Sequence, residues 1–490
     1  MSKKEKDKSI WLKVRRFFND IHLWGGLISG IIVFVVCLTG TIYVYNTELR
    51  EMALSKYYKV EKASEKISPD ALLAMAKPSI EGKVVGIKVP FSASKTIAIL
   101  FQKPAKDEEG EDGRRGRGER PSNNTLAQRD TIIDKKETTQ MPEVAKSEAR
   151  KPKGGKPSGE AVAKPQSSPG GPGPQGGATR RRFPNQMMVN PYTGELIGDV
   201  SEVKTKTADF MQKMFGLHRW LLLNEIEEPI FEGVENRKLG SWITGTATLL
   251  FLLGVLTGLI IWFPKKIRTW KNGLKIRWSA NWKRVNHDLH NTLGLYTWLI
   301  LFLMAVTGPF WSFDWYREGW QKTWGTYQNP NASKEEKAKP VSTIVDGEAA
   351  MTVEETILAV NKALPYDGDI TINFASDSTG TLAITKNRVG FFAPSAGDKL
   401  TLDQYSGEVL EKDIFREKSF RNRIGSSIKA LHIGDVYGPF TKLLYFISCL
   451  VATSLPITGV FIWINKMKKP KKKKRASARP ASSFSEGAVQ

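Results

Sequence analysis

Apolar positions along this chain gather into four unbroken runs, Leu23 to Tyr45, Ser241 to Phe263, Leu293 to Trp315 and Leu443 to Ile464, with strongly polar segments between them. Each run exceeds the roughly 18 residues a helix needs to cross a bilayer. None contains Lys, Arg or Glu, and Asp314 stands at the far edge of the third. A helix apolar all round for that length reads as a membrane span rather than a core helix. The expected fold class is therefore membrane α-helical, a four-helix transmembrane bundle with spans over 23–45, 241–263, 291–315 and 441–464.

The polar segments carry patterns of their own. Ser68-Pro69-Asp70-Ala71-Leu72-Leu73 has an N-cap Ser and Pro at the first helical position, the signature of a helix start. Strand-like Val84 to Val89 and Thr96 to Phe101 follow, then a strand and turn from Met188 to Leu196. The segment 316–440 repeats the plan, with a helix over Thr352 to Leu364, strands at Ile370 to Phe374 and Thr381 to Thr385, and a strand and turn from Leu402 to Leu410. Segments 46–240 and 316–440 are expected to form two small α+β domains of one helix and about three strands each. Within the first, residues 104–182 are rich in Gly, Pro, Lys and Glu with scarcely an aromatic. An insert with so little apolar surface is expected to be disordered.

The spans repeat as well. Asp20-Ile21-His22 aligns with Asp288-Leu289-His290, and without a gap Gly26-Leu27 falls on Gly294-Leu295 and Thr39-Gly40 on Thr307-Gly308. The second and fourth spans end alike in Thr257-Gly258 and Thr458-Gly459, each preceded upstream by a Leu-His pair, Leu217-His218 and Leu431-His432. The bundle is thus expected to be built from a duplicated two-helix unit. The Thr-Gly pairs, with Gly26, Gly30, Gly254 and Gly294, are expected to let helices approach closely. Trp24, Trp242, Trp262, Trp311, Trp315 and Trp463 read as interfacial belt residues.

A net charge of +23 would suit a nucleic-acid binder, but its distribution excludes that reading. Lys and Arg crowd the 1–22 tail, the 264–290 loop and the 465–490 tail. Short basic flanks remain in the cytoplasm, so both termini are expected there and the two α+β domains on the exported side, with the lipid bilayer as the partner of the basic flanks. Arg180 to Arg182 fall in the long exported segment, whose length overrides charge. The first span is longer than a signal-peptide core and lacks a small-residue cleavage site, so it reads as an uncleaved signal anchor. Cys37 and Cys449 both fall inside spans, leaving neither an exported disulfide framework nor a covalent haem site.

All five histidines lie just before a span or in the segment leading to one. His22 and His290 start the odd spans at the cytoplasmic face, and His218 and His432 precede the even spans at the exported face. At 1.5 Å per residue, the 18 positions from His22 to Gly40 cover roughly 27 Å, nearly the hydrocarbon thickness. The two pairs therefore belong to opposite leaflets. One imidazole from each of two helices suits a haem, which takes two axial ligands, better than zinc, which takes three or four protein ligands. Taken singly, each His also reads as an interfacial residue at a helix start. His287, one turn from His290, is either an alternative ligand, a propionate partner or a surface residue. Met211 and Met214 read as packing residues rather than ligands.

These Leu-His and Asp-x-His starts, the four Thr-Gly span ends and the paired Tyr-[Thr/Ser]-Gly-Glu turns resemble the PepSY-associated transmembrane family, whose iron-uptake members include siderophore-interacting inner-membrane reductases. The resemblance covers the chain apart from the 104–182 insert and the tails. It implies two exported PepSY-like domains and two b-type haems, one held by His22 and His290 and the other by His218 and His432. It further implies a bacterial inner (plasma) membrane location and electron delivery to a ferric siderophore or another ferric chelate. No dinucleotide or flavin fingerprint is present, so the expected donor is a cytoplasmic protein or a membrane quinol. The rival readings are a non-enzymatic PepSY-domain binding or regulatory protein, expected to be colourless, and a permease for iron chelates or haem, expected to transport without reductant.

Overall fold

The computed structural model of the protein describes residues 3–104, 184–264, 267–328, 340–344, 347, 349–388 and 397–468. Apart from Pro104, the 104–182 insert and Arg180 to Arg182 lie outside these residues, as do Lys265, Lys266 and the basic tail after 468.

Along the chain, α1 (Lys3–Tyr43) is followed by the short helices α2 (Asn46–Ala53), α3 (Ser55–Tyr58) and α4 (Pro69–Ala76). Strands β1 (Lys83–Val89), β2 (Ile97–Gln102), β3 (Asn185–Val189) and β4 (Leu196–Asp199) come next, then α5 (Lys206–Trp220), α6 (Asn236–Trp262) and α7 (Trp282–Thr307). After α8 (Asp314–Trp324) and α9 (Val353–Ala363) the chain returns to strands, β5 (Gly368–Asn373), β6 (Thr381–Arg388), β7 (Asp398–Asp403) and β8 (Val409–Asp413). It closes with α10 (Phe420–Ser426), α11 (Ile428–Ile433) and α12 (Pro439–Met467).

Four helices, α1, α6, α7 and α12, are long and apolar enough to cross a membrane. Each packs on two others, α1 and α7 both meeting α6 and α12, so the four close into a ring. The middle of the ring holds an apolar cluster of Val33, Cys37, Ala247, Val255, Leu301 and Ala452. The helices overrun the apolar runs. α1 begins at Lys3 and α7 at Trp282, so His22 and His290 sit within continuous helix rather than at its start. The third span ends as α-helix at Thr307 and continues as a 3-10 turn over Gly308–Trp311, short of Trp315.

The expectation of two separate three-stranded domains needs correction. All strands join one eight-stranded sheet in the order β4-β3-β2-β1-β5-β6-β7-β8. Its centre is the antiparallel pairing of β1 with β5, where Ile87 lies opposite Ile372 and both are fully buried. An exposed β1 edge and an exposed β5 edge would each leave unpaired N–H and C=O groups, and pairing them with one another removes both. The fourth strand of each half lies just beyond the expected turn. In Tyr192-Thr193-Gly194-Glu195 and Tyr405-Ser406-Gly407-Glu408 the glycines take φ of +73° and +69°. That left-handed step turns β3 into β4 and β7 into β8.

One face of the sheet packs against α4 and α9 through Leu72, Ala76, Val353 and Val360. Ser68 caps α4, and Thr352 with Glu355 forms a capping box on α9. The Asp70 carboxylate of α4 also accepts from the first free amides of α9, Val353 N at 2.8 Å and Glu354 N at 3.0 Å. Asp70→Ala is therefore expected to cost about 1–2 kcal/mol and to speed amide exchange in the first turn of α9. Unchanged exchange there would show that the cross-helix cap contributes nothing.

Candidate functional site

Four histidines form two close pairs at the two ends of the bundle. His22 of α1 faces His290 of α7 with ring centroids 6.1 Å apart and planes at 88°. His218 of α5 faces His432 of α11 at 6.3 Å and 62°. His287 is not in either contact: its imidazole is about half exposed, and its Nδ1 lies 3.8 Å from the Asp288 carboxylate. Met211 is buried as packing in α5.

Each ring is fixed by a neighbouring helix that carries a Thr-Gly pair. His22 Nδ1 lies 3.0 Å from the Gly254 carbonyl and 3.1 Å from Thr257 Oγ1. His290 Nδ1 meets Thr458 Oγ1 at 2.9 Å, and His432 Nδ1 meets Thr307 Oγ1 at 3.0 Å and the Met304 carbonyl at 3.2 Å. For His218 the partner is the Val36 carbonyl at 2.9 Å. Carbonyl oxygens only accept, and the Thr257, Thr458 and Thr307 hydroxyls already donate to carbonyls one turn back. All four Nδ1 atoms are therefore donors, which leaves every Nε2 with a free lone pair. This is the tautomer a metal-bound imidazole needs, with the second nitrogen held by an outer hydrogen bond.

The glycines lie against the rings, and at Gly40 and Gly258 the fit is too close for a Cβ without some shift. A Cβ at Gly40 would lie 3.2 Å from His218 Cε1, at Gly258 3.3 Å from His22, at Gly308 3.5 Å from His432 and at Gly459 3.6 Å from His290. Each Thr-Gly pair thus lies against an imidazole, a placement beyond the expected close approach of helices.

Two imidazoles on one axis of a metal, with metal–nitrogen bonds of about 2 Å, place their ring centres roughly 6 Å apart. Both pairs have that spacing, and the interplanar angle does not enter it, because turning a ring about the metal–nitrogen axis leaves its centre in place. Among the described residues no group of three or more His, Cys, Asp or Glu is arranged to hold a metal ion. A bare ion would be short of ligands, whereas a macrocycle brings four of its own. Around His218 and His432 lies a cavity of about 90 Å³, lined by Val33, Ala247, Phe251 and Ala305 among others. The mostly apolar lining suits a flat hydrophobic ring, while the volume is below the roughly 300–1,000 Å³ of cofactor-sized sites, so neighbouring side chains must part to admit one.

Two residues beside the His218 and His432 pair were not assigned to it by sequence reasoning. Trp311 lies 5.2 Å from His432, ring to ring, so it belongs to the cavity wall as well as to the belt. Arg219, next to His218, lines the same cavity. The loop that follows them is strained, since Leu221 and Leu222 both take left-handed conformations at φ of 53° and 60°. Such strain persists where packing over-determines the backbone. Here α6 does so: Thr244 donates to the Arg219 carbonyl at 3.0 Å, and Gly240 lies flat against the Trp220 carbonyl. After α11, burial raises the Asp435 carboxyl above the usual range, with Lys442 opposing.

A multi-pass helical membrane protein with paired imidazoles at both ends is the class defined by these features. The family described as the PepSY-associated TM region matches residues 20–466, and the chain belongs to that family. No curated protein matches the chain.

Proposed function

We propose that this protein is a transmembrane electron conduit that holds two b-type haems, one between His22 and His290 and one between His218 and His432, and reduces a ferric chelate on the exported side. The observation that carries the reading is the double imidazole pair, each with Nδ1 anchored and Nε2 free, at the two ends of one bundle. We further propose that the chain arose by duplication of a two-helix unit, that both termini are cytoplasmic in a bacterial inner membrane, and that the sheet is exported. Support comes from the basic flanks and from the matching outward order of β1 to β4 and β5 to β8.

When bound, haem iron supplies one-electron exchange between its ferric and ferrous states. The protein's residues do the rest. His22, His218, His290 and His432 would hold the iron through Nε2, and the threonine hydroxyls and backbone carbonyls on neighbouring helices fix their tautomer and aim. Between the two levels, Val255, Leu301, Trp298 and Phe302 exclude water, with the last two rings stacked at 5.7 Å. A cytoplasmic donor or membrane quinol would feed the His22 and His290 end. Ferric siderophore or another ferric chelate would meet the exported end, where one electron lowers the charge that hard oxygen ligands hold.

The proposal is tested in proteoliposomes with dithionite enclosed and a ferric chelate outside, reading Fe(II) with an impermeant indicator. Fe(II) should form only with haem-loaded protein. The same rate in protein-free vesicles, or none despite reduced haem, would refute the reductase reading. Thr458→Val removes the acceptor for His290 Nδ1 and should weaken haem at the inner pair by roughly 10–100-fold, leaving the outer pair unaffected. Haem titration of the purified variant reads this directly, and equal affinity at both pairs would contradict it.

A further inference from the structure

The outer cavity is lined by a cation that has no counter-charge among the described residues. Arg219 Nη2 donates only a long 3.4 Å hydrogen bond to the Trp311 carbonyl. Its guanidinium otherwise lies against aromatic rings, 5.5 Å from the centre of Trp220 and 6.0 Å from that of Phe215. Arg237 covers the same Trp220 ring at 4.3 Å, so two guanidiniums share one indole. Among the described residues no carboxylate lies within ion-pair distance of either. A guanidinium carries five donors, and leaving most of them in a partly apolar wall without an anion is costly.

The histidine seat does not require this residue. Leu217-His218-Arg219 corresponds to Leu431-His432-Ile433, and the residues after His22 and His290 are Leu23 and Asn291. A cation is thus found directly after one histidine of the four, at the cavity where an external molecule would meet the exported end.

We infer that Arg219, backed by Arg237, is an anion site that receives a carboxylate in the wall of the outer cavity. The planar guanidinium fork matches a carboxylate through two parallel hydrogen bonds. Two sources carry that chemistry: a propionate of the resident macrocycle, which rests on the proposed haem site, and a carboxylate of the ferric chelate, which does not. In the first case Arg219 is a positioning residue for the macrocycle, in the second a substrate-binding residue.

The test uses full-length protein in detergent as wild type, Arg219→Gln, Arg219→Lys and Arg219→Met, all in a His22→Ala background so that only the outer pair takes up haem. Equilibrium uptake is measured for protohaem and for its dimethyl ester, which lacks the carboxylates, and radiolabelled citrate is dialysed against the haem-free protein. If a propionate is the ligand, Arg219→Gln and Arg219→Met weaken protohaem uptake by roughly 10–100-fold, leave the ester unchanged, and Arg219→Lys recovers much of the loss. If a substrate carboxylate is the ligand, protohaem uptake is unchanged and citrate affinity falls by that factor. Citrate and protohaem affinities both equal to wild type, or a Lys variant no better than Met in either arm, would overturn the inference. Wild type that takes up no macrocycle would refute the haem proposal alone, and the citrate arm would then decide the anion site.

Discussion

His432→Ala should purify with roughly half the haem of the wild-type chain, and the loss should fall wholly on the outer pair. The physical ground is that His432 and His218 each come from a different helix, with Nδ1 bonded elsewhere, so neither has a substitute for its Nε2. His218→Ala should give the same spectrum, while His22→Ala and His290→Ala should each remove the other half. His287→Ala should leave haem content unchanged, because its ring stands outside both contacts. Pyridine haemochrome counts on the five variants check this. Equal haem in all five would refute the assignment, and a loss in His287→Ala matching that in His290→Ala would place the ligand one turn away.

Gly240→Ala is expected to be among the most damaging single changes that touch no histidine. A Cβ there would lie 2.2 Å from the Trp220 carbonyl oxygen and 2.8 Å from its Cα. Both contacts are to backbone, so no side chain can turn aside. The relief available is to move the end of α5 off α6, against the Thr244 bond to the Arg219 carbonyl and against the left-handed Leu221 and Leu222. Overpacking of this kind costs about 3 kcal/mol or more, and it displaces the segment carrying His218. A lower thermal midpoint together with selective loss of the outer haem is the expected pattern. A wild-type midpoint with full haem would mean that the α5 and α6 contact is softer than its geometry implies.

What could be read from the sequence follows a physical division. The spans were plain because a bilayer demands long apolar runs, and the histidines stood out because similar residues around them match His22 with His290 and His218 with His432. The eight-stranded sheet was hidden because β1 and β5 are separated by almost three hundred positions and nothing in Val84 to Val89 names a partner. β4 and β8 were missed because Leu196–Asp199 is four residues long and Val409–Asp413 is mostly polar. The Thr-Gly pairs were visible as a pattern, but which imidazole each one seats depends on the order of helices around the ring, and that order is not local information. Arg219 had a readable signal that went unused: the repeat holds Ile433 in its place.

The central claim is that each pair of imidazoles grips one flat metal macrocycle. It is tested most directly by the absorption and electron paramagnetic resonance spectra of the purified wild-type chain, oxidised and after dithionite. Two low-spin haems per chain, with a sharpened α-band on reduction, are expected. A colourless protein that takes up no haem when it is supplied would contradict the claim and leave an anchored sheet as the functional part.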